Sequence, residues 1–176
     1  LDRSKLNSEQ QIDAQLIENW LHAQLLEFET IRMWQRNPDI YSSGIAGSAF
    51  VIMSRNYASQ DERLRSVIAR ERQMPAVFAA ARKNLKNPPS VYTEVAIQQV
   101  PGITSFFKSD VPLAFKDVKD KKLLADFRAS NGKVLAQLDK YQKFLKRDVL
   151  PKSKGDFRIG AANYSRKLQY EEMVDI

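Results

Sequence analysis

The sequence predicts an all-α fold, an irregular antiparallel array of about six to eight helices, several of them kinked at proline. Three observations carry this expectation. Apolar residues recur every three or four positions through most of the 176 residues. No strand-like alternation persists for more than a few residues. No internal repeat is evident, which disfavours a regular solenoid. The length suits one domain with a sizeable core, so residues 1–176 are read as a single helical segment. A hydrophobic fraction of 43%, with nine Phe and six Tyr, argues for a packed body over disorder.

The elements follow in order. Ser8-Glu9-Gln10-Gln11 has the form of a capping box and predicts a helix running to about Trp34 or Arg36. The apolar residues of that helix (Ile12, Leu16, Ile17, Trp20, Leu21, Leu25 and others) spread over most of its circumference. A helix apolar on so many sides needs several neighbours, which makes it the expected central helix. Asn37-Pro38-Asp39 reads as a turn. The stretch from Tyr41 to Arg55 is apolar and small, suited to close packing. Ser59-Gln60-Asp61-Glu62 is a second capping box, opening a helix that Pro75 is expected to kink or restart.

Asn87-Pro88-Pro89-Ser90 breaks the chain again, with Ser90 or Thr93 placed to cap the next helix through Val95, Ile97 and Val100. Pro101-Gly102 and Pro112 introduce further bends. The cleanest amphipathic pattern runs from about Lys121 to Leu150, carried by Leu123, Phe127, Val134, Leu138, Tyr141, Leu145 and Val149. Pro151 stops it, and a last, shorter helix is expected from Ala161 to Met173.

Composition excludes much chemistry. Without cysteine there is neither a disulfide framework nor a thiolate metal cage. His22 is the only histidine, and it lies on a polar stripe with Glu18 and Glu29. A carboxylate–imidazole pair is geometrically allowed there, but a solvated polar face, or one meeting a neighbouring domain, is the expected reading. No Gly-x-Ser-x-Gly elbow and no phosphate-binding glycine loop is present. No catalytic, cofactor-binding or metal-binding residue is therefore assigned within this segment.

The aromatic group Trp34, Tyr41 and Phe50 could line a ligand groove, but core packing is the stronger expectation. The net charge of +7 sits mostly after residue 107. Lys133, Lys140, Lys143, Lys146 and Arg147 could grip phosphate or an anionic membrane, yet Asp126, Asp139 and Asp148 interrupt the run. An ordinary solvated face is expected, and no nucleic-acid partner. The most apolar stretch, Gly44 to Met53, is far short of the roughly 20 residues that span a bilayer, so no transmembrane segment is expected.

Several stretches taken together resemble the N-terminal part of the bacterial domain-of-unknown-function family numbered 885. They include Leu1-Asp2-Arg3, Trp34-x-x-Asn37-Pro38-x-x-Tyr41, Arg63-Leu64-Arg65 and Pro75-x-x-Phe78-x-x-Ala81-Arg82-x-Asn84-Leu85-x-Asn87-Pro88-Pro89. Thr93-Glu94-x-Ala96-Ile97-x-Gln99, Gly155-Asp156-Phe157-x-x-Gly160 before Tyr164-x-x-Lys167-Leu168, Ser8-x-x-Gln11-Ile12-Asp13 and Ile68-Ala69-Arg70 complete the set. It is their order and spacing that carry the match.

The resemblance implies large, mostly helical bacterial proteins, some exported or lipid-anchored, so a periplasmic or cell-envelope location is an expectation. It also implies a His-Glu-x-x-Pro-Gly-His-His type motif in the C-terminal half, like a zinc-metallopeptidase helix. This sequence holds no such stretch. The resemblance thus implies a non-catalytic helical portion of a zinc-metallopeptidase-like hydrolase. Its partner would be the remainder of its own polypeptide, and zinc would belong to that remainder. The alternative is a basic helical binding module for an anionic partner, nucleic acid or membrane surface.

Overall fold

The computed structural model describes residues 2–174, and among them there is no strand. The chain divides into two compact units, one formed by Trp34–Phe157 and the other by the described residues of Leu1–Met33 and Arg158–Ile176.

In the second of these units, α1 (Ser8–Leu25) is capped by Asn7, one residue ahead of the capping box expected from the sequence. Asn7 has the extended backbone an N-cap needs (φ −75, ψ 173). Its Oδ1 accepts from the Gln10 amide at 2.9 Å, while Gln10 Oε1 accepts from the Asn7 amide at 3.0 Å. The helix also ends earlier than expected. Beyond Leu25 it widens into a π-helical turn, Leu26–Ile31, and Arg32 adopts a left-handed conformation (φ 56) before the single turn α2 (Met33–Arg36).

The expectation of a central helix is corrected here. Only Ala14 and Ala23 of α1 are buried, whereas Ile12, Ile17 and Trp20 are about 60% exposed. Broad apolarity records how much surface a helix has to cover, and the described residues leave much of that surface open.

The Trp34–Phe157 unit contains the main core. Its helices are α3 (Asp39–Ser54), α4 (Gln60–Asn84), α5 (Ser90–Ser105), α6 (Val111–Ala114) and α7 (Lys121–Phe144). α7 packs along α4, α3 lies against both α4 and α5, and Leu64, Val67, Phe78, Phe107 and Tyr141 fill the space between them. The amphipathic pattern read in 121–150 holds throughout: Leu123, Phe127, Val134, Leu138, Tyr141, Leu145 and Val149 are all buried. π-helical turns extend α5 (Phe106–Asp110) and α7 (Leu145–Val149).

Pro75 does not divide α4, which runs unbroken from Gln60 to Asn84. Proline removes one amide from the ladder, but Met74 and Phe78 on either side of it are buried, and packing on two flanks holds the helix through the defect. Neither Ser90 nor Thr93 caps α5 through its side chain. The N-cap is Pro89, and Thr93 is buried with its hydroxyl 2.8 Å from Ser153 Oγ. The last helix is α8 (Ala161–Lys167), continued by a π-helical turn, Leu168–Glu172, that packs on α1.

Candidate functional site

The polar stripe of α1 is not a ligand set. Glu18 is paired with Arg3, whose hydrogen bond holds its carboxyl below the usual glutamate range. His22 instead places its ring 5.1 Å from that of Tyr170, and the Glu29 carbonyl accepts from Arg32 Nε at 2.7 Å. Among the described residues no three His, Asp or Glu side chains converge closely enough to hold a metal ion. The zinc implied by the family resemblance does not fit these residues, and no metal chemistry is derived for them.

The strongest electrostatic feature lies elsewhere. Glu71 of α4 is fully buried against α7, and burial raises its carboxyl from the usual value to about 7. Asn131 Nδ2 donates to Glu71 Oε1 and to the Phe107 carbonyl, both at 3.0 Å. Ser130 Oγ is hydrogen-bonded to Glu71 Oε2 and lies 3.0 Å from the Phe127 carbonyl. A hydroxyl has one proton to give. Here the Glu71 carboxyl and the Phe127 carbonyl share it, and the raised carboxyl value favours the protonated acid, which can donate to Ser130 in its turn. No cation lies among these partners. The group links α4 to α7 and to the Phe107 carbonyl through hydrogen bonds.

Sequence reasoning passed over Glu71, although a signal was present. It occupies the same register as the buried Leu64, Val67, Ile68, Met74 and Phe78, and a carboxylate on an apolar stripe is the informative exception.

A second buried charge is Arg63. Its Nη1 donates to the carbonyls of Met53 at 3.1 Å and Arg55 at 3.2 Å, closing the C-terminal end of α3, while its guanidinium lies 5.9 Å from the centre of the Phe115 ring.

A groove of about 710 Å³ lies between α3 and α4. Tyr41, Gly44, Ile45 and Ser48 form one wall, and Arg70, Gln73, Met74 and Val77 the other. Its floor is apolar. The Ser48 hydroxyl donates to the Ile45 carbonyl at 2.8 Å, so it is committed to its own helix. Ser48 and Arg70 form no nucleophile–base pair in this groove. Of the three aromatics expected to form core, Tyr41 is buried, Trp34 is half-buried and Phe50 is 55% exposed. Phe50 is therefore corrected from core to surface.

The basic residues of 121–150 lie at the surface. Lys133, Lys140, Lys143, Lys146 and Arg147 are exposed, and Lys143 pairs with Asp139 at 2.7 Å. None of the described helices is long and apolar enough to cross a membrane.

The motifs that looked scattered in sequence meet in space. The Tyr41 hydroxyl donates to the Trp34 carbonyl and accepts from Asn84 Nδ2 at 3.3 Å, and the buried Tyr141 hydroxyl donates to the Pro38 carbonyl at 2.7 Å. Asn87 Oδ1 accepts from the Lys154 amide at 2.9 Å, the Pro88 carbonyl from the Gly155 amide at 3.2 Å. Arg36 donates to the Asp156 carbonyl. Asn-Pro, Asn-Pro-Pro and Gly-Asp-Phe are thus the turns that fasten the helix ends of this unit to one another.

Comparison with known proteins places the chain. Its sequence matches a family described as "Bacterial protein of unknown function (DUF885)" over residues 1–176. A solved structure described as "a putative lipoprotein of unknown function from Shewanella oneidensis" superposes with a TM-score of 0.85 at 31% identity. That similarity covers 97% of this chain and 32% of the other, so the chain spans about a third of that relative's length. A comparison with curated proteins returns no match. The chain belongs to the bacterial family of unknown function DUF885.

Proposed function

We propose that this chain is the helical, non-catalytic portion of a zinc-metallopeptidase-like hydrolase of unknown substrate, with the reacting groups carried elsewhere in a longer polypeptide. One observation carries the reading. A relative with the same fold over this region continues for about twice as much chain again, since only 32% of it is covered. The surface agrees: Ile12, Ile17 and Trp20 on α1 are large, apolar and about 60% exposed. Contiguous apolar patches of this kind belong to interfaces. On this reading α1 buries that face against the remainder of the protein and helps to wall a cleft.

The family resemblance supplies the chemistry of that remainder. In a His-Glu-x-x-Pro-Gly-His-His type helix, two histidines bind zinc and the glutamate acts as general base. A cell-envelope location belongs to the same proposal and agrees with the description of the solved relative as a lipoprotein.

The test is made on the full-length protein. Stoichiometric zinc by elemental mass spectrometry is expected, together with cleavage of a peptide library that is lost when the motif glutamate is replaced by glutamine. A full-length protein that holds no zinc and cleaves no peptide would sink the proposal. Retention on a polyanion column at physiological ionic strength would favour the basic binding module instead.

A further inference from the structure

We propose that the outer face of α3, together with the groove beside it, is the seat of a segment from the rest of this protein's own polypeptide. The inference rests on the reading of the chain as part of a longer protein and names the surface that the longer protein uses.

α3 is poor in charge. From Ile40 to Ser54 it carries no charged residue, although one side of it is open to solvent. Ile40, Gly44, Gly47 and Val51 recur at helical spacing on that side, and all four are exposed, as is Phe50. A face meant for water is normally polar. Here aliphatic and aromatic groups flank two glycines.

The glycines strengthen the case, because nothing within the described residues calls for them. Their backbone is ordinary helix, with no positive φ. A Cβ added at Gly44 or at Gly47 would meet no atom within 4 Å. Each glycine costs about 0.8–1.0 kcal/mol relative to alanine in a helix interior. Glycine at such positions lets another backbone approach closely, and that approaching backbone lies outside the described residues. The groove of about 710 Å³ opens on the same side at Gly44. Arg70 stands on its far wall and forms no ion pair among the described residues, so it can meet a carboxylate or the carbonyl end of a docked helix.

The occupant follows from length and proximity. The solved relative shares this fold and has about two-thirds of its chain beyond the matched region, which is ample to supply a helix. A segment of the same polypeptide binds at the high effective concentration of a tether, which a separate partner lacks.

The experiment uses full-length protein carrying Ser43→Cys or Val51→Cys, with the parent protein as the background. Ser43 is exposed on the same face, and its replacement changes little volume. Maleimide labelling of each folded variant is compared with labelling of the same variant unfolded in urea. A covered face is expected to slow labelling about tenfold or more in the folded state, independently of protein concentration. A benzophenone tethered at the Ser43→Cys thiol should then cross-link to a peptide beyond residue 176 of the same chain.

Labelling of both folded variants as fast as in urea would overturn the inference. So would protection that disappears on dilution, or a cross-link between two copies, because a second copy would then be the occupant. Failure here is distinguishable from failure of the functional reading. Free labelling of a zinc-loaded, active protein removes only the docking surface; protection in a zinc-free, inactive protein removes only the hydrolase.

Discussion

Gly155 lies so close to the Asn87 backbone that a Cβ built on it would be 2.3 Å from the Asn87 carbonyl oxygen. The same Cβ would be 3.1 Å from both the Pro88 carbonyl carbon and the Pro89 nitrogen. The contacting atoms are backbone, held in turn by two prolines and by Asn87 in a left-handed conformation (φ 43), so they cannot step aside as a side chain could. Gly155→Ala is therefore expected to cost about 1–3 kcal/mol, as overpacking does. Gly102→Ala is the control, since a Cβ there meets nothing within 4 Å, and it should be neutral or slightly stabilising. Urea unfolding of the two variants side by side would check the pair. A Gly155→Ala midpoint equal to that of the control would mean that the 87–89 turn and the 153–157 loop are not locked together.

The Tyr141 hydroxyl donates to the Pro38 carbonyl at 2.7 Å, and its ring packs on Phe78 at 4.7 Å between centroids. Tyr141→Phe keeps the ring contact and leaves the Pro38 carbonyl with only the long bond from the Tyr41 amide at 3.4 Å. The expected loss is about 1–3 kcal/mol of unfolding free energy, read as a lower denaturant midpoint at unchanged m-value. An unchanged midpoint would show that the Tyr41 amide satisfies the carbonyl without the hydroxyl.

These two relationships show what the sequence could and could not reveal. Helical periodicity is local, so the buried register of 121–150, from Leu123 to Val149, was legible from spacing alone. Turn motifs were legible as breaks, but that Asn87-Pro88 grips Gly155 depends on a contact 67 residues away, which no spacing encodes. The breadth of apolarity on α1 shows how much surface could be covered, and not whether these residues cover it. Only burial can tell that. Glu71 was visible as a misfit on an apolar stripe, whereas its partners Ser130 and Asn131 come from another helix and carry no signal of their own.

Arg63 closes the end of α3 with two hydrogen bonds from one guanidinium nitrogen, to Met53 and Arg55. The Arg63 side chain is buried, so its removal takes a donor from two carbonyls at the end of α3. Arg63→Met, which keeps much of the aliphatic stem, is expected to lower stability by about 1–3 kcal/mol. Arg63→Lys should not restore it, because a compact ammonium on a flexible stem does not reproduce the planar fork or the contact with Phe115. Hydrogen exchange should localise the damage to the last turn of α3 and the 55–59 connection. Uniform loss of protection would instead mark Arg63 as a general core residue.

Glu71 ties stability to pH in a direction opposite to that of a salt-bridged carboxylate. Its folded-state value is raised to about 7 from 4.5, because burial disfavours the charged form. Between those two values the native state holds a proton that the unfolded chain has released, so unfolding becomes easier as pH rises. The contribution of this group is fully present below pH 4.5, declines through the window and is gone above about 7. The limiting slope is about 1.4 kcal/mol per pH unit. Glu71→Gln should remove this component of the slope while preserving the links, since an amide can donate to Ser130 and accept from Asn131 as the protonated acid does. Unfolding free energies of parent and variant at pH 5 and pH 8 form the test. The variant should gain on the parent at pH 8 relative to pH 5. Parallel pH profiles would show that Glu71 titrates alike in the folded and the unfolded chain.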